Sequence, residues 1–461
     1  MFQEDTISAV ATAVGEGGIG IIRLSGVNAV KVAENLFKPT NKSPVAQLAS
    51  HQLTYGKVVD SLSGQAVDEA MLVVMRSPRS YTKEDVVEIH CHGGPVPLRR
   101  TLELTLRHGA RLAEAGEFTK RAFMNGRLDL VQAEAVMDLI RAKSDASLSM
   151  ALGQLQGSLS TKVKEMRHEI LALIAHLEAT IDFPEEDIDE LTTQEVRSRL
   201  TALLTQMDHL LAGRKTGRIL REGLETVIIG KPNVGKSSLL NALLREQRAI
   251  VTDIPGTTRD IIEESVSIRG IPLKIVDTAG IRETKDIVEK IGVERARALI
   301  EKADLILLLL DASAPLTDED KEVLRLLEGK EAMIILNKSD LPPLWQETDL
   351  QQEIAGKKIL KLSVLDGSGL DELEEAIVKL VYSGAVSPKE NAFLQNVRQA
   401  DLLEKASEQA KDALRTIDAG LPPDFVVVDL RSVWESLGEI TGDTVGEDII
   451  QQIFSQFCIG K

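Results

Sequence analysis

The sequence predicts a multidomain protein in which an α+β N-terminal domain precedes an α-helical domain, and an α/β domain is inserted into that helical domain. Three changes of hydrophobic pattern along the 461 residues support this organisation. Short β-rich runs fill residues 1–118, helical spacing fills 119–216 and 383–461, and strands alternate with helices across 217–382. At roughly 100–200 residues per domain, the length also fits several domains.

The N-terminal part is predicted as mixed strand and helix. Its β-rich runs are DTISAVATAV, GIIRLSG, SHQLTYGKVVD, EAMLVVMRSP and EDVVEIHCHGG, whereas LRRTLELTLRHGARLA has helical spacing. Residues 15–20 match the pattern G-x-G-x-x-G of dinucleotide sites, but a strand follows them where such a site needs a helix. We therefore interpret this glycine cluster as the turn of a β-hairpin.

The helical part carries apolar stripes with steps of three or four residues. One stripe runs from Leu155 to Ile181 and another from Val196 to Leu210. The acidic segment DFPEEDIDE, with Pro184, separates them, so the pattern predicts an antiparallel helical pair. A further stripe from Leu394 to Ile417 predicts a second helical region.

Composition limits the partners of this chain. A net charge of −17, from 54 basic and 71 acidic residues, disfavours strong binding of nucleic acid through a diffuse field alone. An aromatic content of 3% argues against a base-stacking platform. No secretory signal is visible, and the longest aliphatic run, residues 305–310, is far shorter than the ~18 residues of a membrane helix. The two cysteines, Cys91 and Cys458, fit a reducing cytoplasm.

Residues 230–237, GKPNVGKS, match the phosphate-loop pattern G-x-x-x-x-G-K-[ST]. The strand TVII precedes them and the helical segment SLLNALL follows, which is the context that such a loop requires. We expect Lys236 to reach the β- and γ-phosphates and Ser237 to hold Mg²⁺. The residues expected to bind the nucleotide in this loop are Asn233, Val234, Gly235, Lys236, Ser237 and Ser238.

Two further motifs end predicted strands. Asp277, Thr278, Ala279 and Gly280 follow LKIV, where an acid can hold a metal-bound water and the glycine N–H can approach the γ-phosphate. Asn337, Lys338 and Asp340 belong to the sequence NKSD after MIIL.

The carboxylate of Asp340 matches the N1–H and exocyclic amine of guanine, a donor pair that adenine lacks, so the motif predicts GTP. Ser363 would begin the last loop on the guanine side, although Val364 stands there in place of the usual alanine.

A switch loop is predicted between the first two motifs. It contains Thr252, Asp253, Ile254, Pro255, Gly256, Thr257 and Thr258, and its threonine hydroxyls suit Mg²⁺. Ile281 then stands where many small GTPases have a glutamine that orients the attacking water. Another group must take that role, and Arg282, Glu283, Glu289 and Glu294 are available. The alternative is that these charges only form the solvated face of a helix.

The sequence His90-Cys91-His92 is considered as a metal site. On a strand the two histidines share a face and the cysteine points away. No further Cys/His pair lies nearby in sequence, so we do not expect a structural zinc site. For Cys458, the simplest expectation is an idle thiol in a frayed tail.

Several segments along the chain together carry a family resemblance: GEGGIGIIRLSG, the segment 116–130 (GEFTKRAFMNGRLDL) with QAEAV after it, IDFPEED, the inserted TDIPGTTRD and the closing FCIGK. On these segments, and over essentially its whole length, the chain resembles the MnmE/TrmE family of tRNA modification GTPases. The GTPase motifs alone are shared with several ribosome-associated GTPases, whereas the combination is specific.

The resemblance implies that the N-terminal domain, residues 1–118, is similar to folate-binding domains and forms a homodimer. It would bind a tetrahydrofolate derivative, the 5-formyl or the 5,10-methylene form. The matching positions are Arg23, Glu88, Arg127 and Lys461, and Cys458 lies near this site in the family. A basic side chain against a folate carboxylate, and an acid against pterin donors, are physically reasonable pairings.

The resemblance also implies G domains that pair when K⁺ binds. The K⁺ ligands would be the Asn233 side chain, the carbonyls of Thr252 and Ile254, and Thr257. Mg²⁺ would be held by Ser237 and Thr258. Glu289 matches the catalytic glutamate, which acts through water. Arg259 and Arg282 are the arginine-finger candidates if K⁺ has no part in the mechanism.

The family works with an FAD- and NADH-dependent partner, which implies a heterotetramer. The complex adds an aminomethyl or carboxymethylaminomethyl group to C5 of a wobble uridine in certain tRNAs, and the folate supplies the one-carbon unit. The partner would hold much of the tRNA, in keeping with the net charge of −17.

Two alternatives remain open. A ribosome-assembly GTPase switch would share the TDIPGTTRD loop, but such proteins usually carry a basic RNA-binding appendage and this chain is acidic. A stand-alone folate-dependent aminomethyltransferase would leave the complete GTPase domain without a use.

Overall fold

A computed structural model describes residues 5–13, 15–182, 192–246, 264–276, 292–345, 356–382 and 394–461. They divide into two compact units. The first comprises Met1–Met137, Ser160–Arg167 and Trp434–Lys461, and the second comprises Asp138–Leu159 and His168–Val433. Within the described ranges, every helix is too short or too polar to cross a membrane.

A seven-stranded sheet dominates the first unit. Its strands are β1 (Ile7–Val10), β2 (Gly17–Ser25), β3 (Phe37–Pro39), β4 (Thr54–Val59), β5 (Ala66–Met75), β6 (Val86–Gly93) and β7 (Arg111–Leu112). The order is β3-β4-β5-β6-β2-β1-β7, and neighbouring strands are antiparallel except for the parallel pair β1 and β7. Helices α1 (Ala29–Leu36) and α2 (Pro95–Arg107) contribute to the apolar core on one face.

The two faces of this sheet differ in chemistry. Along β2 and β6, Ile22 and Ile89 are fully buried in the core. Arg23 and Glu88 alternate with them, lie opposite each other in the antiparallel register, and are only half-buried. Because side chains of a strand alternate between faces, the face without α1 and α2 carries this charged pair.

The structure confirms the predicted hairpin and corrects one helix. Strands β1 and β2 pair with Val10 opposite Ile22, so the glycine cluster belongs to the turn and the start of β2. The helix predicted over residues 98–113 ends instead at Arg107, and Arg111–Leu112 pair with β1 as β7. Gly109 lies between them with φ of 102°, a conformation that favours glycine and takes the chain out of the helix.

The remaining helices span both units. They are α3 (Glu117–Met124), α4 (Leu130–Arg141), α5 (Asp145–Leu155), α6 (Ser158–Asp182), α7 (Thr193–Ala212), α8 (Arg214–Glu222), α9 (Lys236–Glu246), α10 (Gly292–Lys302), α11 (Asp318–Leu326), α12 (Leu370–Val381), α13 (Val397–Asp418), α14 (Pro423–Thr441) and α15 (Glu447–Ser455). A short 3₁₀ helix covers Val45–Gln47.

The predicted apolar stripes are largely confirmed. Their side chains are buried along α6, α7 and α13. The first stripe starts one element too early, because Leu155 ends α5 and Gly157, with φ of 91°, separates it from α6. The break at Pro184 lies outside the described residues, and the antiparallel pairing stays a prediction.

A six-stranded sheet forms the centre of the second unit. Its strands are β8 (Leu224–Ile229), β9 (Glu264–Ile268), β10 (Ile271–Ile275), β11 (Leu305–Asp311), β12 (Ala332–Asn337) and β13 (Lys358–Lys361). They run in the order β13-β12-β11-β8-β10-β9, and every neighbouring pair is parallel except β9 with β10. Separate apolar clusters on the two faces include residues of α9 and α12 on one and of α10 and α11 on the other. The predicted α/β arrangement of 217–382 is therefore present.

Candidate nucleotide site and N-terminal sheet site

The phosphate loop joins the end of β8 to the start of α9, in the middle of the parallel sheet. Its glycines are required by close contacts: a Cβ on Gly230 would lie 2.4 Å from the carbonyl oxygen of Leu309, and a Cβ on Gly235 would lie 2.2 Å from Nδ2 of Asn337. Both have positive φ, 147° and 103°. Asn233 also adopts a positive φ, 64°. The loop therefore lies at the carboxyl ends of the strands, where ligands of such sheets bind.

Lys236 is enclosed by its own loop. Its Nζ donates hydrogen bonds to the carbonyl oxygens of Gly230 at 2.7 Å and Lys231 at 2.6 Å. Burial lowers the pKa of this amine below its ordinary value. No carboxylate pairs with it among the described residues.

Asn337 links the phosphate loop to the loop after β13. Its Nδ2 donates to the carbonyl oxygen of Val234 at 2.7 Å, and its Oδ1 accepts from the N–H of Val364 at 3.3 Å. The side chain is buried, so these bonds satisfy groups that burial would otherwise leave unpaired. Sequence reasoning placed Asn337 in the guanine loop but missed this bracing role.

Lys338 is held along the same edge by Asp311. Its Nζ donates to Oδ2 of Asp311 at 2.5 Å. Burial by itself would raise the pKa of the Asp311 carboxyl, but the hydrogen bonds from Lys338 and Ser313 outweigh it and hold the pKa below its usual range. Sequence reasoning did not identify Asp311, although an acid directly after the strand LILLLL was the available signal.

The residues assigned to guanine recognition border this edge. Asp340 is exposed, and Ser363 is fully buried. The Oγ of Ser363 has no hydrogen-bond partner of good geometry among the described residues. Both follow strands of the parallel sheet, β12 and β13, whose carboxyl ends meet at one edge.

Many predicted residues of the GTP site lie outside the described residues. They are Thr252, Asp253, Ile254, Pro255, Gly256, Thr257, Thr258, Arg259, Asp277, Thr278, Ala279, Gly280, Arg282 and Glu289. Of the predicted K⁺ ligands only Asn233 is described, and of the Mg²⁺ ligands only Ser237, an exposed residue of the first turn of α9. The metal sites therefore stay predictions.

A second charged cluster lies on the N-terminal sheet. Nε of Arg23 donates to Oε1 of Glu88 at 2.8 Å, and another guanidinium nitrogen of Arg23 donates to the carbonyl oxygen of Gly460 at 3.3 Å. His90 Nε2 lies 3.4 Å from the other Glu88 oxygen. Burial raises the pKa of Glu88, but the bond with His90 and the charge of Arg23 outweigh it, so the pKa lies below its ordinary value.

The C-terminal tail is docked against this part of the chain. Ile459 forms an antiparallel bridge with Ala115, and the N–H of Gly116 donates to the carbonyl oxygen of Cys458 at 3.3 Å. Burial, then the charge of Arg23, lowers the pKa of Lys461. The expectation of a frayed tail is therefore wrong, because backbone pairing holds the tail, although Cys458 itself is exposed.

Arg127 approaches the same cluster through Tyr81. Its guanidinium carbon lies 4.7 Å from the centre of the Tyr81 ring, and that of Arg23 lies 5.5 Å from it. The predicted positions Arg23, Glu88 and Arg127 are thus brought together, with Lys461 close enough to Arg23 and Glu88 to feel their charges. Sequence reasoning missed Tyr81, whose only signal was that it is one of three tyrosines in a chain poor in aromatic residues.

The histidines of the HCH segment have separate acidic neighbours. His90 faces Glu88, and His92 contacts Asp68 through its backbone N–H at 2.8 Å and Nδ1 at 2.6 Å. Cys91 lies on the face opposite the two histidines, as predicted, and its burial in the core raises the pKa of its thiol to about 11. The described residues contain no group of three or more His, Cys, Asp or Glu side chains placed to hold a metal ion.

Comparison with protein-family models gives two matches. The model described as the GTP-binding protein TrmE N-terminus matches residues 6–127, and the MnmE helical domain model matches residues 130–458. Together they cover almost the whole chain, including the sheet that carries Arg23 and the tail up to Cys458.

Three curated relatives are similar over their full length, and each is named tRNA modification GTPase MnmE. The protein of Alkaliphilus metalliredigens (strain QYMF) is 52% identical over 461 residues, all of both chains. That of Geobacillus kaustophilus (strain HTA426) is 52% identical over 462 residues, again all of both chains. That of Bacillus subtilis (strain 168) is 50% identical over 458 residues, 99% of this chain and 100% of the relative. The resemblance inferred from the sequence motifs is confirmed, and this chain belongs to the MnmE/TrmE family of tRNA modification GTPases.

Proposed function

We propose that this chain is the GTP-hydrolysing component of a cytoplasmic complex that modifies the wobble uridine of certain tRNAs. The reaction adds an aminomethyl or carboxymethylaminomethyl group at uridine C5. A reduced folate, 5-formyl- or 5,10-methylene-tetrahydrofolate, supplies the one-carbon unit. The chain acts as a homodimer, and an FAD-dependent partner completes a heterotetramer and holds much of the tRNA.

The observation that carries the proposal is the presence of two different sites in one chain. One is the loop around Lys236, braced by Asn337. The other is the Arg23–Glu88 pair with the C-terminal tail docked on it. A GTPase switch needs only the first site, and a stand-alone folate enzyme needs only the second.

The phosphate loop supports the GTP half of the proposal. Lys236 has carbonyl partners but no described anion, so it fits a triphosphate chain. Asp340 would accept from the guanine N–H donors. Ser237 and Thr258 would hold Mg²⁺, and Asn233, Thr252, Ile254 and Thr257 would hold K⁺, whose charges would stabilise the negative charge that develops during hydrolysis. Glu289 would orient the attacking water.

The sheet cluster supports the folate half. Glu88 is held as an ionised carboxylate, the state needed to accept hydrogen bonds from the pterin N–H groups. Arg127 is exposed and has no acidic partner in the described part of the chain, so it suits the carboxylate end of a folate. Lys461 contributes a further basic group from the docked tail.

A reconstitution tests the proposal. The purified full-length protein would be mixed with an FAD-dependent partner, an undermodified tRNA, GTP, Mg²⁺, K⁺ and the folate, and wobble nucleosides would be measured by mass spectrometry. Modification should require GTP hydrolysis, the folate and the partner together. Modification that persists without folate would exclude the one-carbon role, and modification without the partner would favour the stand-alone enzyme.

Matched variants connect the result to the two sites. Arg23→Ala should abolish modification while leaving GTP hydrolysis near the wild-type rate, because its contacts lie on the N-terminal sheet and tail. Arg99→Ala is the control, since Arg99 is an exposed arginine of the same unit that pairs with Glu103 of its own helix. Equal modification by both variants would remove the Arg23 cluster from the proposal.

A further inference from the structure

Tyr81 lies in the loop that joins β5 to β6, and contacts hold both its hydroxyl and its ring in place. Its hydroxyl shares a hydrogen bond of 2.9 Å with Oγ1 of Thr119, a fully buried residue. Its ring packs against a small apolar cluster formed by Ile7, Ala9, Ala113 and Phe118. A ring held by a buried hydroxyl and an apolar cluster presents a rigid face to its other neighbours.

Two guanidinium groups lie at this ring. Arg127 is held twice, because its guanidinium carbon is 4.7 Å from the ring centre and a guanidinium nitrogen donates to the Tyr81 carbonyl oxygen at 3.0 Å. Arg23 lies 5.5 Å from the same centre. Two like charges repel each other, whereas the negative face of an aromatic ring attracts both. The ring of Tyr81 thus holds the guanidinium groups of Arg23 and Arg127 close to each other.

The two arginines differ in charge balance. Arg23 is paired with Glu88 at 2.8 Å. Arg127 is exposed and makes no ion pair with any residue that the structure describes. Most of its guanidinium donors are therefore available to an anion. An arginine already held in one orientation loses less freedom when it binds a carboxylate, and this strengthens binding.

We propose that Tyr81 is a positioning residue that holds Arg127 beside the Arg23–Glu88 pair. It thereby strengthens binding of the carboxylate end of a reduced folate at this site. The inference rests on the proposed folate function of the same site. It goes beyond that function by assigning a role to a residue that no sequence motif singled out. Tyr81 acts through Arg127, and its ring matters more than its hydroxyl.

A double-mutant cycle on the full-length protein tests this role. Calorimetry with 5-formyltetrahydrofolate would compare wild type, Tyr81→Leu, Arg127→Ala and the double variant. Each single change should weaken binding about tenfold. The double variant should also lose about tenfold, and not a hundredfold, because the two residues act as one unit. Tyr81→Phe keeps the ring and should bind within about twofold of wild type.

The outcomes distinguish failure of the positioning role of Tyr81 from failure of the proposed folate function. Losses that multiply in the double variant, or a Tyr81→Phe protein as weak as Tyr81→Leu, would overturn the positioning role while the folate site stands. Absence of binding by the wild-type protein would overturn both. If Tyr81→Leu unfolds, the folate affinity of Arg127→Lys is measured instead, because this variant leaves the Tyr81 ring unchanged. Lysine keeps the charge but loses the planar fork, so wild-type affinity in that variant would also overturn the inference.

Discussion

Replacing Gly460 by alanine should release the C-terminal tail and weaken folate binding without unfolding the protein. A Cβ at this position would lie 2.3 Å from the carbonyl oxygen of Val10, a backbone atom that cannot rotate away. Gly460 also has φ of 92°, which an L side chain adopts only under strain. The tail can avoid both the overlap and the strain by undocking, but undocking breaks the hydrogen bond from Arg23 to the Gly460 carbonyl oxygen.

The size of the expected loss in folate affinity follows from those contacts. Backbone strain of this kind costs roughly 1–3 kcal/mol. Undocking breaks this bond from a charged donor, which contributes roughly 1.5–3 kcal/mol, and the backbone contacts of the tail with Ala115 and Gly116, which contribute roughly 0.5–1.5 kcal/mol each, so docking of the tail is stable by a few kcal/mol. Strain and overlap that together exceed the docking free energy by about 1.4 kcal/mol leave the tail docked for about a tenth of the time. If Lys461 helps to bind the folate, the apparent affinity falls by that fraction, about tenfold.

Calorimetry with 5-formyltetrahydrofolate measures the affinity, and carboxypeptidase digestion measures exposure of the tail. Gly64→Ala is the matched control. Gly64 lies in the same unit with φ of 71°, but a Cβ there would meet nothing within 4 Å. The reasoning predicts faster loss of Lys461 and weaker folate binding only for Gly460→Ala. If the two alanine variants behave alike, docking of the tail does not support the folate site.

Three other outcomes are expected. Asp340→Asn should lower the preference for GTP over xanthosine triphosphate, because the donor–acceptor match with the base inverts; an unchanged preference in competition assays would contradict the guanine assignment. GTP hydrolysis should rise strongly when K⁺ replaces Na⁺ at constant ionic strength, and Asn233→Ala should remove that difference with little change in GTP affinity; a retained potassium response would exclude this ligand. Alkylation of the native protein at pH 8 should label the exposed Cys458 and spare Cys91, whose burial raises its thiol pKa to about 11 and keeps it protonated; equal labelling would show that Cys91 is accessible.

Features that depend on short stretches of sequence were predictable. The phosphate loop combines a strand, a glycine-rich turn and a helix within a few residues, so its position follows from local pattern. The hairpin at residues 15–20 was predictable for the same reason, since a strand follows where a dinucleotide site needs a helix. The alternation of strands and helices across 217–382 likewise predicted a parallel sheet.

Contacts between residues that are far apart in sequence could not be predicted from the sequence pattern. Arg23 and Gly460 are 437 residues apart, and only the folded chain brings them together. Asn337 braces Val234 across 103 residues, a contact between two motifs that neither motif reveals by itself. The end of α2 at Arg107 was missed because the apolar spacing continues through residues that instead join the sheet as β7. Local periodicity does not distinguish these two outcomes.

The most direct test is the wobble uridine itself. Total tRNA from a strain that lacks this protein would be digested to nucleosides and compared with the parent by mass spectrometry. The account predicts loss of the aminomethyl and carboxymethylaminomethyl uridines, with recovery when the wild-type chain is restored but not when Arg23→Ala or Asp340→Asn is supplied. Normal levels of these nucleosides in the deletion strain would contradict the proposed role in tRNA modification.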